Sequence, residues 1–140
     1  MIKVDHKTFN LTLIELPTLG TTVRRLAIDK AGMVWYVNSS KGKLGRYNPT
    51  NGKITEWPSP SGADSHPYAI EVTDGAVWFN ESKKRPETLV RFDTKDETFQ
   101  SWIISSGGVE SGLLRHMRAS EKGLLLHQTA TNHVIEVTWE

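Results

Sequence analysis

The chain has 140 residues, with 17 Lys and Arg against 16 Asp and Glu, and no cysteine. That length suits one domain with a modest core, and a formal net charge of +1 leaves no electrostatic footprint for nucleic acid or an anionic membrane surface. The missing cysteines exclude a disulfide framework and a Cys-based zinc site.

The N-terminal stretch MIKVDHKTFNLTLIELP has neither the apolar core nor the cleavage pattern of a secretory signal. No later stretch reaches the length of a membrane-spanning helix. A cytoplasmic location is therefore the expectation.

Residues 1–17 are predicted to supply one outer strand near Phe9–Leu16, because Ile14-Glu15-Leu16-Pro17 matches Thr55-Glu56-Trp57-Pro58 further on. A unit over 24–60 follows, then a second over 67–104. A third begins near Leu113 and runs over 113–140, supplying three strands that end with His133–Trp139. The units share one period. Leu44, Leu89 and Val134 fall 45 residues apart, and so do Tyr47, Phe92 and Val137. Trp57 and Trp102 keep the same step, and 32-GMVWYVN, 75-GAVWFNE and 123-GLLLHQT form a further set.

The segments between are short and rich in β-branched and aromatic residues, as strands are. Turn chemistry separates them, at Lys30-Ala31-Gly32, Asn48-Pro49-Thr50-Asn51-Gly52, Thr73-Asp74-Gly75 and Glu121-Lys122-Gly123. Ser105-Ser106-Gly107-Gly108 reads as a loop between units. A period near 45 with four short strands predicts an all-β fold of β-propeller blades, each of four antiparallel strands, about three blades in this chain.

Three blades do not close a ring, and open blade faces are a liability. Two arrangements follow. In one, a homodimer completes a six-bladed ring, the strand Phe9–Leu16 of each copy closing the other's last blade. In the other, these blades are the C-terminal half of a longer propeller. The first is the expectation for a complete chain.

The segments HPYAIEVTDGAVWFNES with TLVRFDTKDETFQSW, and RRLAIDKAGMVWYVN with KLGRYNPTNGKITEWPSPSG, resemble the repeats of the streptogramin B (virginiamycin B) lyase family. The resemblance implies a seven-bladed propeller that opens cyclic depsipeptide antibiotics at an ester by elimination, assisted by Mg2+. Such chemistry uses a base for the proton α to a carbonyl and a cation for the enolate. The family places histidines at the start of the inner strands of its last blades, a glutamate two residues before one of them, and acids near a Trp-Phe-Thr-Glu segment.

Transferred one residue at a time, the histidine position holds Arg24, Tyr68 and Arg115, and the glutamate position holds Thr22, His66 and Leu113. The acid position holds Asn38, Glu81 and Thr129. His66 and His116 are the candidate bases, although His116 lies one residue past the family position, which on a regular strand faces it the other way unless a bulge intervenes. Arg24, Tyr68, Arg115, Glu81 and Asn38 are candidate ligand-binding residues, the guanidinium fork suiting a carbonyl or carboxylate. Glu81 has a competing reading as the salt-bridge partner of Lys83, Lys84 or Arg85. Metal ligands are unassigned.

Trp35 and Trp78 read as packing between blades, Trp57 and Trp102 as covering blade edges, and Arg46 and Arg91 as structural. His127 and His133 have no neighbouring carboxylate and do not read as a metal pair. The chain lacks a phosphate-binding Gly-rich loop, a Gly-x-Ser-x-Gly elbow and a His-Glu-x-x-His helix. The functional expectation is a propeller that binds a small molecule in its central funnel, either as a Mg2+-assisted carbon–oxygen lyase or as a non-catalytic ligand-binding or self-assembling scaffold.

Overall fold

A computed structural model describes residues 1–104, 114–129 and 132–139. Three sheets repeat one antiparallel plan. Blade 1 contains β3 (Val23–Ile28), β4 (Val34–Asn38), β5 (Lys43–Tyr47) and β6 (Ile54–Pro58) in that order from inside out. Blade 2 contains β7 (Pro67–Thr73), β8 (Ala76–Glu81), β9 (Thr88–Asp93) and β10 (Phe99–Ile103). The third sheet has β11 (Leu114–Ala119), β12 (Gly123–Gln128) and β13 (His133–Thr138). The inner strands β3, β7 and β11 lie side by side, as blades around an axis require. The loop over 105–108 and Leu113 fall outside the described residues.

The core lies between blades. Trp35, Val37 and Leu44 of blade 1 meet Ile70, Phe79, Val90 and Phe92 of blade 2. Ala76, Trp78 and Leu89 of blade 2 meet Leu114, Met117, Leu124 and Leu126 of the third sheet. Each fully buried Val, Leu, Ile, Phe or Met among them contributes about 1.5–3 kcal/mol, so these residues hold much of each interface. The recurring arginines and tryptophans form one packed unit. Trp57 stacks on Trp35 at 5.9 Å, with the Arg46 guanidinium 5.3 and 5.1 Å from the two rings. Trp102 likewise stacks on Trp78 at 5.9 Å, with Arg91 6.0 Å from Trp78.

The N-terminus differs from the expected lone strand. Leu11–Leu13 (β2) pairs with Ile2–Val4 (β1) in a separate two-stranded sheet, Ile2 opposite Leu13 and Val4 opposite Leu11. The turn between them is the turn of the other outer hairpins. Asp5, Asn48 and Asp93 each donate their N–H to a carbonyl five residues on, at 2.9 Å in every case. Each also accepts, on its own carbonyl, the N–H of a left-handed residue four positions on: Phe9 (φ 58°), Gly52 (φ 72°) and Glu97 (φ 54°). Side-chain oxygens of Asp5, Asn48 and Asp93 cap the turn from within. β1–β2 therefore has the form of β5–β6 and β9–β10, the outer half of a blade. The edge of β2 expected to close another blade is already occupied by β1.

A second correction concerns register. Gly32 and Gly75 sit in turns with φ of 81° and 73°, whereas Gly123 opens strand β12 opposite Thr138. The turn into β12 is thereby offset by one residue. Asn38 lies opposite Val23, Glu81 opposite Pro67, and Gln128 opposite Leu114. Gln128, not Thr129, is the third member of that set.

Candidate functional site

Each inner strand carries an irregularity at its first turn, where one extra residue is inserted. Val23 and Leu26 face Asn38 and Tyr36, Pro67 and Ile70 face Glu81 and Phe79, and Leu114 and His116 face Gln128 and His127. These bulges fall at one repeat position and hold Arg24-Arg25, Tyr68-Ala69 and Arg115, the last followed at once by His116, which pairs with His127. A bulge re-aims side chains, and here it gathers cations at one end of the inner strands. Arg24 and Arg25 lie 5.7 and 5.5 Å from the centre of the half-buried Tyr68 ring, within cation–π range. Arg115 and His116 are exposed on the neighbouring strand. His116 stacks on His127 across β11 and β12, ring centres 6.2 Å apart.

The bulge of blade 2 is fastened from below. The Ala69 N–H, turned out of the ladder, donates to Asn80 Oδ1 at 2.6 Å. Asn80 Nδ2 donates to the Glu87 carboxylate and, at 3.1 Å, to the Leu114 carbonyl. Glu87, 1% exposed, accepts the Leu114 N–H at 3.0 Å. This buried network ties the mouth of blade 2 to the first described residue of the third sheet. Neither Asn80 nor Glu87 was legible from the repeat, because the group they jointly hold, the Leu114 backbone, lies on another sheet.

The remaining candidates border the same strand ends and make contacts of their own. Glu81 is fully buried and accepts from Ser59 Oγ at 2.5 Å, Ser61 N at 2.8 Å and Ser61 Oγ at 2.6 Å, latching the loop after blade 1 onto blade 2. The expected pairing with Lys83, Lys84 or Arg85 does not form: Lys83 reaches Asp64, and Arg85 donates to the carbonyls of Ser82 and Lys84. His66 adopts a left-handed backbone, and its carbonyl accepts from Ser82 N and Oγ. Asn38 is buried and donates to Thr21 Oγ1 and to Glu56.

Glu56 is the hub on that side of blade 1. It accepts from Thr18 Oγ1 at 2.5 Å, from Tyr36 Oη at 3.0 Å and from Lys43 Nζ at 3.0 Å. Burial alone would raise its carboxyl, but the hydrogen bonds from Thr18, Lys43 and Tyr36 and the Lys43 charge outweigh it and hold the group below its ordinary value. The Tyr36 phenol is pushed up, by burial first and then by Glu56. A depressed carboxyl contributes stability above its unfolded value and loses it as pH falls through the folded one. Between pH 7 and values below the ordinary 4.5, the wild type is expected to lose more thermal stability than Glu56→Gln. Parallel melting curves across that range would reject this role for Glu56.

A Mg2+ ion takes near-octahedral oxygen coordination with one or two available carboxylates. Among the described residues no group of three His, Cys, Asp or Glu side chains is placed to hold an ion. Glu81 has its oxygens engaged by three donors, and the mouth is lined by guanidinium groups. Among the described residues the donor set does not fit the ion implied by the resemblance.

By sequence, no family model and no curated protein matches the chain. Solved structures do. A streptogramin B lyase superposes with TM-score 0.81 at 23% identity, over 95% of this chain and 42% of that one. The fold is that of the streptogramin B lyases. Virginiamycin B lyase from Staphylococcus aureus superposes with TM-score 0.73 at 22% identity, over 99% of this chain and 48% of that one. A catalytically inactive variant of the S. aureus enzyme, solved with quinupristin, gives TM-score 0.73 at 23% identity, over 99% and 54%. The chain thus spans about half the length of these lyases.

Proposed function

We propose that this lyase-like propeller binds a small molecule at the mouth of its inner strands, through a carbonyl or carboxylate group taken by Arg24, Arg25 and Arg115. The observation behind this reading is the pair of guanidinium groups gathered on Tyr68 by the bulges of β3 and β7. Guanidinium groups present planar forks of donors that match such oxygens. The reading is one of binding: among the described residues the mouth presents these cations, and no group of three His, Cys, Asp or Glu side chains stands ready for an ion.

A second reading, elimination, has one observation in its favour. His116, paired with His127, directly follows the bulged Arg115, so a basic nitrogen and a cation share one strand end. Quinupristin is a suitable probe for both readings. Calorimetric titration is expected to show binding that chelator leaves unchanged and that Arg24→Ala or Arg115→Ala weakens at least tenfold. No heat of binding at millimolar quinupristin would overturn the proposal. Ring opening by elimination leaves the mass unchanged, so turnover is read by chromatographic retention. Turnover that requires Mg2+ and is lost in His66→Ala or His116→Ala would replace binding with catalysis.

A further inference from the structure

The surface that blade 2 turns toward the third sheet is incompletely filled. On the equivalent surface of blade 1, the Trp35–Arg46–Trp57 wall is covered by the outer hairpin of blade 2. Phe92 lies 5.8 and 4.9 Å from the two indoles and is backed by Phe99 at 4.9 Å. Glu97, in the turn, accepts from Trp57 Nε1 at 3.3 Å and pairs with Arg46 at 3.7 Å. On blade 2 the matching Trp78–Arg91–Trp102 wall borders a cleft of about 870 Å3. Trp139 stacks on Trp78 at 5.0 Å, yet Trp102 and Trp139 remain 46% and 47% exposed.

The described residues also hold an outer hairpin, β1–β2, that forms a two-stranded sheet of its own. Shared turn geometry puts Val4 at the position of Phe92, Leu11 at that of Phe99, and Phe9 at that of Glu97. Ile2, Val4, Leu11 and Leu13 lie along one face of β1–β2 and are each 54–69% exposed. Lys3 occupies the place of Arg46 and Arg91, whereas β13 has Glu136 there, opposite Leu125. β13 pairs with β12 over six residues but packs on the core only through the half-buried Ile135 and Val137. None of its residues is buried, in contrast to Leu44 in β5 and Leu89, Val90 and Phe92 in β9.

We infer that two copies of this chain exchange hairpins. β1–β2 of each takes the outer half of the other's third sheet in place of β13, seating Val4 and Leu11 against the Trp78–Trp102 wall. Each chain then contributes two whole blades and shares two composite ones, and a two-fold axis closes a ring of six four-stranded blades. The inference is independent of any ligand at the mouth.

Light scattering on the full chain at micromolar concentration is expected to give twice the monomer mass. Val4→Asp with Leu11→Asp, both at exposed positions, should leave the circular dichroism unchanged and raise the dimer Kd at least 100-fold. Trp139→Ala, which loosens the β13 segment, should lower it. Hydrogen exchange should show Ile135 and Val137 losing protection on dimerisation while Ile2–Val4 gains it. A monomer at 100 µM chain, a dimer indifferent to the hairpin aspartates, or a dimer in which β13 stays protected would each overturn the exchange.

Discussion

Gly45→Ala is expected to destabilise the protein by about 3 kcal/mol or more, at the upper end for overpacking a core. Gly45 lies directly opposite Tyr36 in the β4–β5 pair, and the Tyr36 ring crosses the space above it. A Cβ at Gly45 would overlap the ring carbons of Tyr36. The ring has no room to yield. It is fully buried, and its hydroxyl is held at 3.0 Å by Glu56, itself fixed by Thr18 and Lys43. The glycine is needed here for close approach, not for a special backbone angle. Denaturant unfolding would measure the effect, and Tyr36→Ala supplies the control. With the ring gone, adding Gly45→Ala should cost under about 1 kcal/mol, so the coupling between the two sites accounts for most of the loss. An equal cost in both backgrounds would mean that the ring is not what excludes the methyl group.

What the sequence disclosed and what it withheld separate along the range of the interactions. Blades 1 and 2 were legible because their punctuation is local. Asn48 to Gly52 and Thr73 to Gly75 are turns that announce themselves, and Trp57 and Trp102 keep the step of Leu44 and Leu89. The outer hairpin at the N-terminus was not. Its left-handed residue is Phe9 rather than glycine, and Asp5 precedes Asn48 by 43 residues where Asn48 precedes Asp93 by 45. A search at one fixed step passes over it. Gly123 misled in the opposite direction, since a glycine inside a strand looks the same in sequence as one in a turn.

The place of the candidate residues on their strands was legible in the sequence, and their contacts were not. Transfer of the family positions one residue at a time put Arg24, Tyr68 and Arg115 at the inner-strand ends, where the structure has them. The bulges there depend on distant groups, such as the Asn80 side chain that accepts the released Ala69 N–H, and no local spacing specifies such a partner. Glu81 illustrates the same limit. Its neighbours in sequence are cations, yet its partners are Ser59 and Ser61, supplied by the loop after blade 1. A carboxylate's role follows from what the fold brings to it.

Glu87→Ala should cost about 3 kcal/mol, because it leaves two buried donors, the Leu114 N–H and the Asn80 amide, without their acceptor. The loss falls on the junction between blade 2 and the third sheet, so it reaches the mouth as well as the global stability. Glu87→Gln separates shape from hydrogen bonding. Its remaining oxygen can still accept from Leu114, but its amide turns a donor toward a donor of Asn80, whose oxygen is committed to Ala69. That variant is expected to lose about 1–2 kcal/mol. Hydrogen exchange gives the local reading. Amides of Leu114 to Met117 should lose protection in Glu87→Ala, while those of Val23 to Leu26, tied to blade 1, should not. If stability and exchange are both unchanged, the packing of Met117, Leu124 and Leu126 against Trp78 suffices to dock the third sheet. Arg115 would then owe its position to the apolar core and not to the carboxylate beneath it.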